Sequence, residues 1–134
     1  MDELYEDKYI QICRNHITDC LEIQGKTSCE KQIDFERSMD IINQFVKRTN
    51  AKKIVFSLVN FNTLGDESFI SKEFLPVLGV LGVKHIAVIT GHDDKTKVYF
   101  EELSFYNSPV KKEYDIKAEH FESFDDGIKW IEEQ

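Results

Sequence analysis

The chain has 134 residues, and 41% of them are hydrophobic. This length and composition are typical of one domain, which we place at 1–134 with its core at about 8–133. Its net charge of −8 argues against a nucleic-acid-binding protein, because such proteins concentrate Lys and Arg on one surface. The chain has neither an apolar run near the ~20 residues of a membrane span nor a secretory signal at its acidic start, so we expect a cytoplasmic protein.

A β-hairpin is predicted near the amino end. The runs 8–14 (KYIQICR) and 19–24 (DCLEIQ) alternate with period two and flank a polar turn. This pattern puts four aliphatic residues on one face: Ile10, Ile12, Leu21 and Ile23. Cys13 and Cys20 fall on the opposite face, and a pairing of residue 12 with residue 21 would place these two thiols directly across from each other.

The stretch CRNHITDCLEIQGKTSC, residues 13–29, holds all three cysteines and raises the question of a zinc site. The weak candidate ligands are Cys13, His16, Cys20 and Cys29. Tetrahedral zinc needs four converging ligands, and nothing in the predicted hairpin brings His16 and Cys29 to the same side of the sheet. We therefore interpret the thiols as small apolar side chains and predict neither a metal nor a cofactor.

A long helix and a buried strand follow the hairpin. Thr27-Ser28-Cys29-Glu30 matches a capping box and predicts a helix start, with the end near Thr49. The predicted inward stripe is Phe35, Met39, Ile42 and Val46, widened by Phe45. The apolar run 52–61, KKIVFSLVNF, predicts a strand buried on both faces, as in parallel sheets.

The second half of the sequence predicts further helices and strands. A helix begins near Asp66, with a kink or break near Leu75 because Pro76 removes a helical hydrogen bond. Residues 84–91, KHIAVITG, predict a second buried strand. A less regular helix carrying Val98, Phe100, Leu103 and Phe105 and a short edge strand at 114–118 come next.

The last helix is predicted from its cap. Ser123 and Asp126 have the spacing of an N-terminal cap, and the helix that follows turns an apolar stripe inward: Phe124, Ile128 and Ile131, with Trp130 beside them.

Polar segments follow both buried strands, at the sheet edge where ligands bind in open α/β folds. The first, NFNTLGDES at 60–68, offers candidate partner- or ligand-binding residues: Asn60, Asn62, Asp66, Glu67 and Ser68. The second offers His92 and Asp93, which suit a general base or a divalent metal ligand. Turn and helix-capping chemistry accounts for both segments as well, and no nucleotide-binding or nucleophile motif accompanies them.

The order of these elements resembles the STAS domain, and within it the SpoIIAA-like family, from about Tyr9 to Glu133. The segments that carry the resemblance are LEIQGKTSCE, KKIVFSLVNFN, VKHIAVITG and HFESFDDGIKWIEE. It implies an α/β fold in which an N-terminal hairpin precedes alternating helices and strands around a central mixed sheet, and a regulatory or ligand-binding role without an assigned reaction.

The same resemblance bears on regulation. Anti-anti-sigma members carry Asp-Ser-Ser-Gly at the helix after the central strand, where one serine is phosphorylated. Gly65-Asp66-Glu67-Ser68 stands at the matching place here, so the usual phosphoserine motif is not preserved.

Three functions remain open at this point. The first is a non-catalytic regulatory module that binds a protein partner or a second copy of itself through the 60–70 loop and the adjoining helix, because that helix is rich in large apolar residues: Phe69, Phe74, Leu75, Leu78 and Leu81. The second is a small-molecule or lipid-binding module with an apolar pocket under four aromatics: Phe69, Phe74, Phe100 and Phe105. The third is an enzyme that uses His92 and Asp93.

Overall fold

A six-stranded sheet organises the protein, and its strands lie side by side in sequence order. The computed structural model describes residues 2–27, 29, 31–59, 73–91 and 115–134. The strands are β1 (Asp2–Glu6), β2 (Ile10–Asn15), β3 (Cys20–Gly25), β4 (Lys53–Ser57), β5 (His85–Ile89) and β6 (Lys117–Phe121), and the helices are α1 (Gln32–Thr49), α2 (Leu75–Val80) and α3 (Phe124–Glu132). Strands β1 to β3 pair antiparallel and β3 to β6 pair parallel, so the predicted α/β class with a mixed sheet is confirmed.

The hairpin of β2 and β3 exists as predicted, but its predicted register is wrong by two residues. Ile12 pairs with Ile23 and Cys13 with Glu22, so Cys13 does not face Cys20. The chain reverses through residues 16–19, and the carbonyl oxygen of the Asn15 side chain accepts hydrogen bonds from the backbone N–H groups of residues 17 and 18, at 3.0 and 3.3 Å. This turn is longer than the predicted pairing requires, and it shifts the register.

Strand β1 is not among the predicted elements. Its sequence, DELYE, is mostly acidic and lacks a clear period-two apolar pattern. Leu4 and Tyr5 nevertheless pack against the core, and β1 lies at the outer edge of the sheet, where charged side chains are common.

Helix α1 begins later than the predicted capping box. Its N-cap is Lys31, whose side chain makes no capping hydrogen bond, and its first residue is Gln32. Cys29, two residues before the N-cap, is buried in the core. The end at Thr49 is confirmed, and the inward stripe is buried as predicted: Phe35, Met39, Ile42 and Val46.

Strands β4 and β5 are buried on both faces, as their apolar runs predict, although both are shorter than those runs. Helix α2 spans Leu75–Val80 with Pro76 in its first turn, where an N–H has no partner within the helix. The predicted helix start near Asp66 lies outside the described residues. The large apolar residues of this helix are not an exposed surplus: Phe74, Leu75 and Leu78 are buried, Leu81 is half-buried, and an inward position is wrong for Val77. The exposed apolar side chains of α2 are instead Val77 and Val80.

The core is divided between the two faces of the sheet. One face carries the larger cluster, in which side chains of α1 and α2 pack on β2 to β6. The other face carries a smaller cluster, in which α3 packs on β4, β5 and β6. The predicted edge strand exists but lies at Lys117–Phe121 rather than at 114–118.

Helix α3 has the predicted cap, since the Ser123 hydroxyl accepts a hydrogen bond from the backbone N–H of Asp126 at 3.2 Å. Ile131 is fully buried, but the inward position predicted for Phe124 is wrong, because 41% of Phe124 is exposed at the very start of the helix. The predicted helix at 98–105 lies outside the described residues. None of the described helices is long and apolar enough to cross a membrane.

Candidate functional site

Helix α3 covers only half of its face of the sheet. It packs on β4 to β6 and shares a cluster with Cys20 at the start of β3, and no other described element covers β1 to β3 on that side. A groove of about 610 Å³ lies where the cover ends, between the open strands and the start of α3. Its lining residues are Gln11, Cys13, Glu22, Ile23, Gln24, Ser57, Val59 and Phe124.

The polar wall of the groove follows from the period-two pattern of the hairpin. Residues at alternate positions turn to the open face, opposite the aliphatic residues that enter the core. The polar side chains also bind each other across strands. The Gln11 amide donates to the Glu3 carboxylate at 2.8 Å, and the Asn15 amide donates to the Glu22 carboxylate at 2.7 Å.

The apolar end of the groove lies at the carboxyl edge of the parallel strands. Val59 and Phe124 are exposed by 47% and 41%, large fractions for such side chains. Val59 sits against the end of β5, since a Cβ atom on Gly91 would lie 3.4 Å from Val59 Cγ2. The backbone N–H of Leu58 also donates to the Ile89 carbonyl at 2.8 Å. The ends of β4 and β5 therefore meet at one edge, as the sequence predicts.

The thiol of Cys13 lines the groove, and its reactivity depends on its pKa. Burial raises the pKa of its thiol, and the carboxylates of Glu3, Glu22 and Glu6 raise it further. A nucleophilic cysteine needs the opposite environment, one that favours the thiolate. Cys13 is thus protonated at neutral pH and lines an acidic surface.

The cysteines and His16 do not converge on one point. Cys20 belongs to the cluster under α3, with its sulfur 2.9 Å from the Thr18 hydroxyl, whereas Cys29 belongs to the cluster on the other face. His16 lies at the surface, with Nε2 2.6 Å from an Asp2 carboxylate oxygen. Within the described residues, no group of three or more His, Cys, Asp or Glu side chains is placed to hold a metal ion.

The other predicted site residues lie outside the described residues: Asn60, Asn62, Asp66, Glu67, Ser68, His92 and Asp93. Of the aromatics predicted to cover an apolar pocket, Phe74 is 2% exposed and packs in the core instead of lining a cavity, and Phe69, Phe100 and Phe105 are outside the described part.

Sequence reasoning missed the groove itself. The signal was present in the polar residues that alternate with the hairpin aliphatics, namely Gln11, Cys13, Glu22 and Gln24. Comparison with known proteins finds no family model, no curated protein and no solved structure that matches the chain significantly. The chemistry of the groove is therefore the basis for a functional proposal.

Proposed function

We propose that the chain is a non-catalytic regulatory module that binds a protein partner on the open half of its sheet. The observation that carries the proposal is the face of β1 to β3 on the α3 side, which no described helix packs over and which ends in the exposed apolar pair Val59 and Phe124. A polar surface with an apolar end is typical of interfaces in which one buried anchor is surrounded by polar contacts. The hairpin, the buried parallel strands and the capped closing helix support the resemblance to STAS-type domains.

The charge of the open face favours a basic partner segment. Glu3, Glu6 and Glu22 lie close enough to the groove to act on the thiol of Cys13. A partner segment with Lys or Arg side chains complements these carboxylates, and one apolar side chain of the partner packs between Val59 and Phe124. The protonated state of Cys13 supports binding rather than covalent catalysis.

A cytoplasmic location belongs to the same proposal. Cys13, Cys20 and Cys29 are all free thiols, a state that suits a reducing compartment.

Affinity capture with matched variants tests the proposal. The full chain, Phe124→Ser, Glu22→Gln and Val80→Ser are each cross-linked in their own cells, and the retained proteins are identified by mass spectrometry. Val80, 71% exposed on α2, is the control for the loss of an exposed apolar side chain away from the groove. We expect a partner that the wild type and Val80→Ser retain and that both groove variants lose.

The contrary outcomes are also defined. Retention of the same proteins by Phe124→Ser and Glu22→Gln, with loss in Val80→Ser, would move the interface to α2. Thermal melts of all four proteins show whether a loss of capture reflects unfolding instead.

A small-molecule ligand is the second candidate function. The groove volume of about 610 Å³ falls within the range of roughly 300–1,000 Å³ that is common for such pockets. Native mass spectrometry of the untagged protein, repeated after denaturation, separates the candidates: a bound metabolite adds a mass that denaturation removes, whereas a partner module shows the bare chain or its complexes.

A further inference from the structure

A row of basic side chains crosses the amino edge of the parallel strands, at the end of the sheet opposite the groove. Lys53 on β4 pairs in register with His85 on β5, and His85 pairs with Lys117 on β6. Neighbouring strands lie about 4.8 Å apart, and residues in register point to the same face. The three side chains therefore emerge side by side on the face that carries α3.

Neither lysine of this basic row makes an ion pair within the described residues, and Asp115 is the carboxylate that acts on His85. The ion pairs found there are Arg14–Asp19, His16–Asp2 and Lys26–Glu6, and none of them includes Lys53 or Lys117. In a chain of net charge −8, two lysines that flank a histidine on adjacent strands form a local excess of positive charge that a bound anion would balance.

His85, at the centre of the row, is held in place by Trp130 at the end of α3. The two rings meet edge to face, with centroids 5.9 Å apart at 69°. Burial lowers the pKa of His85, the cations of Lys117 and Lys53 lower it further, and Asp115 acts in the opposite direction. An anion in front of the ring would therefore favour its protonated form.

We propose that Lys53, His85 and Lys117 form a binding site for a phosphate group, carried as inorganic phosphate or as a phosphate monoester. Two ammonium groups and an imidazolium supply charge-assisted hydrogen bonds to separate phosphate oxygens. The site is independent of the groove, because it lies at the other end of the strands and uses none of the same residues.

Nuclear magnetic resonance of the His85 ring tests this site in the full chain. Inorganic phosphate is titrated at constant ionic strength against chloride, near neutral pH, and the ring signals are followed. We expect a saturable shift and a higher pKa of His85 in phosphate. Lys53→Gln and Lys117→Gln should each weaken binding about tenfold, the effect of losing one charge-assisted hydrogen bond.

Lys47→Gln is the matched control, because it removes the same charge from an exposed position on α1. In chloride, Lys117→Gln should raise the pKa of His85, since it removes a neighbouring cation; in phosphate, the wild type should have the higher pKa. This reversal separates anion binding from a purely structural effect. Glycerol phosphate is titrated beside inorganic phosphate. If the natural ligand is a phosphorylated small molecule, glycerol phosphate should bind more tightly than inorganic phosphate. If the natural ligand is free phosphate, the two probes should bind equally well.

The proposal is overturned by any of three results. The first is the absence of a saturable His85 shift in phosphate. The second is unchanged affinity in both Lys53→Gln and Lys117→Gln. The third is an equal loss of affinity in Lys47→Gln, which would indicate general charge attraction instead of a site.

Discussion

At the connection between β1 and β2, the carboxylate of Asp7 accepts hydrogen bonds from the Tyr5 hydroxyl at 2.6 Å and from the backbone N–H groups of Tyr9 and Ile10 at 2.7 and 2.9 Å. Burial alone would raise the pKa of Asp7, but the hydrogen bonds from Tyr5, Ile10 and Tyr9, with the nearby charge of Lys26, outweigh burial and lower it. One side chain thereby holds the outer strand of the open face against the hairpin.

Replacement of Asp7 by alanine should lower the free energy of unfolding by about 1–3 kcal/mol, because a carboxylate that accepts several hydrogen bonds is lost. The folded-state pKa lies below the ordinary value of 3.8, so this stabilisation is present above that pH and fades as the pH falls through the lowered pKa. Urea unfolding at neutral and acidic pH measures both effects.

Asp40→Ala, at an exposed position of α1, is the control for removing a carboxylate and should change stability by less than about 0.5 kcal/mol. If Asp7→Ala behaved like Asp40→Ala at neutral pH, the role assigned to the Asp7 hydrogen bonds would be wrong.

At the scale of the elements, helix α3 lies close against the sheet at Gly127. A Cβ atom built there would overlap Ile89 Cδ1 and would lie 3.6 Å from Phe121 Cδ2 and 3.7 Å from Ala87 Cβ. Ile89 is only 1% exposed, so its side chain has little room to move away. The position of α3 on the sheet, and with it the boundary of the groove, therefore depends on residue 127 being a glycine.

Gly127→Ala should therefore destabilise the protein, although alanine favours the helix by about 1 kcal/mol, because overpacking costs roughly 1–3 kcal/mol. In an Ile89→Val background, which lacks the obstructing methyl group, the same substitution should be neutral or stabilising. The double-mutant cycle, measured by urea unfolding, should show a coupling of about 1–2 kcal/mol.

Ile86→Val provides the matched background, because Ile86 is on the same strand but in the cluster on the opposite face. In the Ile86→Val background, Gly127→Ala should destabilise the protein as much as it does in the wild type. Equal effects of Gly127→Ala in the two valine backgrounds would show that Ile89 does not limit the approach of the helix.

The elements differ in how far their sequence predicts them. Strands β4 and β5 carry continuous apolar runs because both of their faces are buried, and helix α1 carries an apolar stripe along one face, so the positions of all three follow from the sequence pattern. The register of β2 and β3 depends instead on how Asn15 and the positive φ of Asp19, 53°, shape the turn. Two-residue and four-residue turns preserve the same alternation, so periodicity does not distinguish them.

The candidate site was less predictable than the fold for a similar reason. Polar residues of the hairpin indicate an exposed face, but the groove forms because α3 lies mainly over β4 to β6 and, of the β3 side chains, shares its cluster with Cys20. Phe124 has the spacing of an inward residue, yet it lies in the first turn, beyond the strands that bury Ile131. Lateral placement of a helix on a sheet is a tertiary property that a local pattern does not encode.

At the scale of the whole molecule, charge is distributed unevenly over one face of the sheet. Carboxylates surround the open strands, and the basic row lies at the amino edge beside the end of α3. Within a chain of net charge −8, this face therefore carries one acidic surface and one basic surface. If both proposals hold, a basic segment and a phosphate group bind the same face without competing for a residue.

The two core clusters share their supporting strands, which ties their stability together. Ile54 and Phe56 of β4 enter the larger cluster, and Val55 between them enters the smaller one. Loss of the helices on one face would expose apolar side chains of the same strands on which the helices of the other face pack. We therefore expect the described parts of both faces to unfold in one cooperative transition.

Trp130, the only tryptophan of the chain, reports on the smaller cluster, where its ring lies 5.8 Å from that of Phe121. Its fluorescence and the far-ultraviolet circular dichroism of the whole chain should give the same urea midpoint. Ile42→Ala and Ile131→Ala, one in each cluster, should each cost about 2–5 kcal/mol and move both signals together, because cavities in either cluster weaken the shared sheet. Ile17→Ala, at a side chain 94% exposed, should leave the midpoint within about 0.5 kcal/mol of the wild type. A fluorescence transition that precedes the dichroism change would mean that α3 detaches first, and a groove bounded by that helix would then open and close with it.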